Sequence, residues 1–178
     1  MSIELQKNHP DLAKVRFLAC VLPKSDLRFH VSHIKVDENF DGYSTDGARL
    51  HYTGDLQLSP GYYKVHKNTK SKVVIEKVHE LDTNEGSFPN VTDILLIPDN
   101  PGFDVTLQPD YNFKTYTKII RAMEKTTLNY DFVNDLCSTV NDTASVIVPE
   151  PDNNETCKPV HIVKNGYHAV LMPCKIDY

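Results

Sequence analysis

Apolar residues recur at helical or strand spacing along most of the chain, which predicts a mixture of helices and strands. Residues 10–22 show the first clear helical stripe, with apolar side chains three or four positions apart. The stripe consists of Leu12, Val15, Leu18, Ala19 and Leu22. Pro10 suits the first turn of a helix, and Pro23 lacks the backbone N–H that a further turn would need. A helix is therefore expected between these two prolines.

From residue 27 to residue 79 the pattern is extended and predicts a meander of antiparallel strands. The alternation of apolar and polar positions is typical of strands with one buried face. Asp46-Gly47 lies between two of these strands and predicts a tight turn, because glycine accepts a positive φ angle and Asp can bond its own backbone two residues on. The expected strands are residues 27–36, 43–45, 49–58, 62–66 and 72–78, with a further strand at 91–97 closing this first lobe.

The run Asp99-Asn100-Pro101-Gly102 interrupts any regular element and is the expected domain boundary. It divides the chain into a first lobe, residues 1–98, and a second lobe, residues 99–178. In the second lobe, Asn129 is expected to cap a short helix, and Asn165-Gly166 is a strong two-residue hairpin signal. Strands are expected near residue 105 and at residues 144–148, 160–163 and 167–176.

Residues 111–125 give the clearest helical pattern in the sequence, with an apolar and a basic side. The predicted packed side consists of Phe113, Tyr116, Ile120 and Met123. The opposite side carries Lys114, Lys118, Arg121 and Lys125. Such a basic side is either an ordinary solvated helix face or a surface that contacts an anionic partner.

Composition and charge limit the class of protein. The 178 residues are 40% hydrophobic and carry a formal net charge of −5, so the chain can bury a core while its surface as a whole is not that of a nucleic-acid binder. A local basic face on an acidic body remains compatible with this charge. No apolar run approaches the roughly 20 residues of a membrane span, and no hydrophobic signal segment opens the chain. We therefore expect a cytoplasmic protein without membrane contact, whose cysteines 20, 137, 157 and 174 are free thiols.

The sequence offers little that predicts catalysis. Its eight histidines form no HExxH motif, and no phosphate-binding loop, nucleophile elbow or dinucleotide fingerprint is present. Asp26, Asp46 and Asp93 have no spacing that requires a metal. We expect no enzyme activity, no metal and no cofactor.

Four short motifs occur in an order that resembles the bacterial DNA polymerase sliding clamp (β subunit) family. They are Ser25-Asp26-Leu27-Arg28-Phe29, Thr45-Asp46-Gly47-Ala48-Arg49-Leu50, Phe88-Pro89 leading to Pro98, and Val170-Leu171-Met172-Pro173. The resemblance implies an α+β, DNA-clamp-like fold of antiparallel sheets with a few helices on one face, as two small lobes or one clamp-like domain. Ala48 stands where the family usually has His, and Cys174 replaces a larger apolar residue.

The resemblance also implies a function. Sliding clamps are rings around duplex DNA that tether polymerases and other clamp-binding proteins through a hydrophobic peptide pocket, and they act as processivity factors. We therefore expect a homo-oligomer that binds double-stranded DNA without sequence preference, in a reduced form that suggests a viral or mobile-element source. The alternative is a clamp-like interaction module that binds replication or transcription proteins without encircling DNA.

Two sets of residues carry these expected functions. The DNA-binding set is Lys14, Lys114, Lys118, Arg121 and Lys125. The peptide-pocket set, transferred from the family motifs, is Thr45, Gly47, Arg49, Leu50, Pro98, Val170, Met172 and Pro173.

Overall fold

The computed structural model describes residues 2–23, 29–78, 88–123, 126–150 and 158–175. Within it the chain divides into two compact units, residues 1–90 and residues 91–178. The boundary predicted from the sequence, between residues 98 and 99, lies eight residues after this division. Each unit combines antiparallel strands with helices, so the predicted α+β class is confirmed.

The first unit contains six antiparallel strands in the order β1-β6-β5-β2-β3-β4. They are β1 (Ser2–Gln6), β2 (Ile34–Val36), β3 (Gly42–Thr45), β4 (Arg49–Thr53), β5 (Gly61–Asn68) and β6 (Lys72–Val78). Helix α1 (Leu12–Ala19) packs on this sheet through the predicted apolar stripe and buries Leu12, Val15 and Leu18. The prediction of this helix is confirmed.

The strand predicted at residues 27–36 is wrong over part of its length. Residues Phe29–Ser32 form a single helical turn, α2, and the strand covers only Ile34–Val36. Val31 of the turn and Ile34 of the strand are both buried, whereas one continuous strand would place residues three apart on opposite faces. Residues 25–28 of the family-like motif lie outside the described part of the chain.

Strand β1 was not predicted, although it forms one edge of the first sheet. It pairs with β6, where Leu5 lies opposite Val73, and both of these side chains are buried. Its five residues hold only Ile3 and Leu5 as apolar positions, which is too short a pattern to distinguish a strand from a loop. Its partner lies almost seventy residues later in the chain, so only tertiary pairing reveals it.

The second unit contains a four-stranded antiparallel arrangement, β11-β10-β9-β7, and a small two-stranded pairing of β12 with β8. The strands are β7 (Phe103–Leu107), β8 (Thr126–Thr127), β9 (Asp142–Ile147), β10 (Val160–Lys164), β11 (Tyr167–Leu171) and β12 (Cys174–Lys175). The Asn165-Gly166 hairpin is confirmed, with Gly166 at φ +79° between β10 and β11. The strand predicted at residues 167–176 breaks at Met172-Pro173, where proline cannot donate to a ladder.

Two helices, α3 (Asn112–Ala122) and α4 (Tyr130–Thr139), complete the second unit. Asn129 caps α4 as predicted, because its side-chain oxygen accepts a bond from the Asp131 N–H at 2.9 Å. The amides of Asn112 and Asn134 bond the two helices together at 2.8 Å. None of the helices that the structure describes is long and apolar enough to cross a membrane.

The strand predicted at residues 91–97 is also wrong. Residues 92–95 form a turn in which the Leu95 N–H bonds the Val91 carbonyl at 3.0 Å. A bond four residues back is helical in type, so the apolar run Ile94-Leu95-Leu96-Ile97 does not extend. Leu96 and Ile97 are exposed as a result.

Candidate protein- and DNA-binding surfaces

The turn at residues 45–50 is held by its own side chains. The Thr45 hydroxyl donates to the Arg49 carbonyl at 2.7 Å and accepts from the Gly47 N–H at 3.0 Å. One carboxylate oxygen of Asp46 accepts from the N–H groups of Ala48 and Arg49 at 3.0 and 2.9 Å. Gly47 has φ +91°, a conformation that glycine adopts without strain, and the space around it is open. The turn is therefore rigid, and its tip is accessible.

Arg49 is committed to contacts within the first unit. Its Nε donates to the second carboxylate oxygen of Asp46 at 2.9 Å, and its Nη2 donates to the Cys20 carbonyl at 3.2 Å, at the end of α1. The side chain is only 9% exposed. Leu50 is buried beside it. Among the predicted pocket residues of this unit, Gly47 is thus the accessible one. Arg49 and Leu50 pack beneath the surface and stabilise the turn.

The second unit holds the other four predicted pocket residues. Val170 is buried in β11, whereas Met172 follows the strand and is 40% exposed. Pro98 lies in a separate groove of about 350 Å³, among residues that include Leu96, Pro149 and Pro159. Neither Met172 nor Pro173 lines that groove. Within this unit, Met172 is therefore the predicted residue best placed to contact a partner.

Lys114, Lys118 and Arg121 are all exposed on α3, and we call these three residues the basic face of α3. The Lys118 ammonium donates to the Asp104 carbonyl of β7 and lies 5.4 Å from the centre of the Phe103 ring. The Lys114 ammonium lies 5.1 Å from the Tyr111 ring centre. These contacts orient two of the three cations without neutralising their charge.

The other two residues of the predicted DNA-binding set are placed differently. Lys125 lies outside the described residues. Lys14 belongs to the first unit, where its ammonium donates to the carbonyls of Gly54 and Asp55 at 2.9 and 2.8 Å. Lys14 therefore has a structural role, because two of its ammonium hydrogen bonds join α1 to the loop after β4.

Comparison with solved structures finds sliding clamps, the β subunits of DNA polymerase III. A putative DNA polymerase III β subunit from Eubacterium rectale superposes with a TM-score of 0.61 at 10% identity, over 98% of this chain and 65% of that one. The sliding clamp of Caulobacter crescentus gives a TM-score of 0.60 at 13% identity, over 98% of this chain and 65% of that one. The β subunit of Thermotoga maritima gives 0.60 at 10% identity, with 99% and 66% covered. The chain has the sliding-clamp fold.

The likeness is one of structure rather than of sequence. No protein-family model and no curated protein matches the sequence. The chain spans slightly less than two thirds of the length of the first clamp chains that it matches. The DNA-clamp-like fold predicted from the four motifs is nevertheless confirmed.

One prediction about the face of α3 that packs in this clamp fold is wrong. Phe113 was expected in the packed stripe, but its side chain is 69% exposed. The buried positions are Thr115 and Ile119, and the Thr115 hydroxyl donates to the Thr106 carbonyl of β7 at 2.6 Å. At about 100° per residue, Phe113 lies more than 100° from the Ile119 direction and is close to Thr117. Phe113 therefore belongs to the solvent side, together with the basic face.

Sequence reasoning also missed a buried pair of histidines in the second unit of this clamp fold. His161 Nδ1 and His168 Nε2 lie 3.0 Å apart between β10 and β11, and both rings are buried. Burial and the neighbouring His161 ring lower the pKa of His168 to about 4. Burial also lowers the pKa of His161. No group of three or more metal-ligating side chains occurs in the described part of the chain, so this pair has no third ligand there.

Proposed function

We propose that the protein is a sliding-clamp-like processivity factor of DNA replication, which holds duplex DNA and tethers clamp-binding proteins. The observation that carries the proposal is the clamp fold, which covers nearly the whole chain. The proposed role is not catalytic. It requires a surface that attracts phosphate without reading sequence, a closed assembly and a site for partner peptides.

The basic face of α3 is the proposed phosphate-contacting surface of the second unit, to which the sequence adds Lys125, and Lys14 is a separate proposed contact in the first unit. Lys114, Lys118 and Arg121 lie on one side of a single helix, and phosphate contacts of this kind give affinity without base recognition. A clamp needs only such weak contacts, because a closed ring cannot dissociate sideways from DNA. The net charge of −5 is a property of the whole chain and is compatible with a local cationic surface of this type.

The closed assembly is expected to form by pairing of sheet edges between subunits. Strands β1 and β7 each pair with one neighbour, β6 and β9 respectively, among the described residues. Two carbonyls of β7 accept bonds from α3 side chains, but a carbonyl has a second lone pair and can still accept a bond from another chain. Edges of this kind are usually covered or paired.

Light scattering at micromolar concentration is therefore expected to show a symmetric oligomer, with and without duplex DNA. The mass should be a whole multiple of the 20.2 kDa chain and should not change on dilution within the micromolar range. A species of only 20.2 kDa under both conditions would refute the ring and favour a monomeric interaction module instead.

We propose peptide contacts in each unit separately. In the first unit the contact is Gly47 at the accessible turn, supported by Thr45, Arg49 and Leu50. In the second unit it is Met172 as an adaptable apolar contact, with Pro98, Val170 and Pro173 in supporting roles. A methionine side chain is flexible and polarisable, so it can fit apolar anchors of different shapes. A site that holds a few anchors should bind peptide with micromolar affinity, on the order of −8 kcal/mol.

Truncation of Met172 to alanine is expected to weaken binding of a Gln-Leu-x-Leu-Phe type peptide about 5- to 30-fold, or roughly 1 to 2 kcal/mol. Fluorescence anisotropy with the labelled peptide measures this change. Phe113→Ala is the matched control, because it removes another exposed apolar side chain of the same unit and should leave peptide affinity unchanged. Equal binding by the parent and Met172→Ala would place the peptide elsewhere.

A further inference from the structure

The basic face of α3 borders an open groove that contains an exposed aromatic ring. The groove has a volume of about 460 Å³ and is lined by Phe113, Lys114, Thr117, Lys118 and Arg121. We call it the α3 groove. All five side chains come from one helix, so helical geometry sets the direction in which each leaves the backbone. Phe113, Thr117 and Arg121 are four residues apart and follow one ridge of the helix, and Lys114 and Lys118 follow the adjacent ridge.

The α3 groove combines positive charge with an apolar ring surface. Its lining contributes three cations and no carboxylate, and the nearby acidic residues Asp104 and Asp110 are not part of it. Phe113 presents more than two thirds of its surface to solvent, so its ring is accessible to a partner beside the three cations. An anionic partner with flat apolar faces satisfies both features.

We propose that the α3 groove binds single-stranded nucleic acid, with a base stacked on Phe113 and phosphates on Lys114, Lys118 and Arg121. In a duplex the base faces are covered by neighbouring bases. Phe113 then has no base on which to stack, and only the phosphate contacts contribute to binding. In a single strand the base faces are free, and stacking on an aromatic ring contributes without sequence preference. This inference rests on the proposed DNA-binding function and adds a preference for unpaired over paired strands at this groove.

The test compares a labelled 12-nucleotide oligothymidine with a duplex of the same length, by fluorescence anisotropy on the full chain. Phe113→Ala is expected to weaken binding of the single strand about 5- to 150-fold, the range of one base–aromatic stack, and to change duplex binding less than twofold. Phe113→Trp should retain single-strand binding. Phe113→Leu should behave like Phe113→Ala, because it keeps apolar bulk but lacks an aromatic face.

Two controls make the result specific. Phe40→Ala removes a ring that is 47% exposed in the first unit and should leave both affinities unchanged. Lys118→Ala should weaken both ligands and lower the salt dependence of each, since it removes a phosphate contact from either. Phe113 is largely solvent-exposed, so thermal melting of its variants should match that of the parent.

Several outcomes would overturn the inference. They are no binding of the single strand by the parent, equal effects of Phe113→Ala on single strand and duplex, or full retention of single-strand binding by Phe113→Leu. Displacement of the oligonucleotide by a labelled acidic peptide, in a manner that requires Phe113, would assign the groove to a protein partner instead. If the parent binds duplex and Phe113→Ala leaves single-strand affinity unchanged, the proposed function stands and only this inference fails.

Discussion

Replacing Lys114, Lys118 and Arg121 together by glutamate is expected to abolish retention of the protein on circular duplex DNA. Each substitution removes a phosphate contact and adds a negative charge that repels the backbone, so the combined loss of affinity should reach two or more orders of magnitude. The three side chains are exposed on α3, whereas the buried positions Thr115 and Ile119 are unchanged, so folding should be preserved. The measurement is co-elution of protein with nicked plasmid on a sizing column, at several salt concentrations.

The matched control carries the same change in net charge on another surface. Lys64, Lys67 and Lys70 are exposed residues of the β5–β6 hairpin and its loop, and their triple replacement by glutamate should leave retention nearly intact. For the parent, the logarithm of the binding constant should fall linearly with the logarithm of the salt concentration. Each single replacement of an α3 cation by alanine should make that slope shallower by about 0.9. If the α3 triple variant stayed on circular DNA as well as the parent, the basic face of α3 would not be the DNA-contacting surface.

Acidification from pH 7 to pH 5 is expected to destabilise both units through their buried histidines. The His51 ring is fully buried in the first unit, stacks 4.2 Å from the Phe17 ring and donates from Nδ1 to the Phe17 carbonyl at 2.8 Å. Burial lowers the pKa of His51 to about 3, and burial with the neighbouring His161 lowers the pKa of His168 to about 4. Both values lie below the ordinary histidine value of 6.5.

The direction of the pH effect follows from which state binds the proton. Between pH 6.5 and the folded-state pKa, each histidine of the unfolded chain binds a second ring proton and is charged, whereas in the folded protein the ring stays neutral with a single proton. The contribution to stability is therefore complete above pH 6.5 and is lost as the pH falls towards 4 or 3. At pH 5, about 1.5 pH units below the unfolded-state pKa, each histidine should lower the free energy of unfolding by about 2 kcal/mol, since one pH unit corresponds to about 1.36 kcal/mol.

Urea unfolding followed by circular dichroism at pH 7, 6 and 5 measures this loss. His51→Gln and His168→Asn should each be less stable than the parent at pH 7, because each leaves a packed site imperfectly filled. Each should also lose less stability on going to pH 5, since the titrating ring is gone. An unchanged pH dependence in both variants would show that neither histidine is responsible for the acid sensitivity.

The sequence alone determined those features that depend on residues close together in the chain. The Asp46-Gly47 turn follows from a carboxylate that bonds the N–H groups of Ala48 and Arg49, and from a glycine at positive φ. The Asn129 cap and the Asn165-Gly166 hairpin have the same local origin. Such interactions close within a few residues, so turn chemistry and periodicity are enough to predict them. Together with the order of the family-like motifs, they sufficed for the clamp fold.

Only the tertiary structure decided which faces are buried and which segments pair. Phe113 is exposed because α3 packs through Thr115 and Ile119, and the hydroxyl of Thr115 satisfies a carbonyl of β7 as an apolar side chain could not. His161 and His168 meet because β10 and β11 pair in one particular register. Strand β1 exists because β6 pairs with it from almost seventy residues away. Periodicity shows that a helix or strand has two sides, but the element packed against it selects the side that is buried.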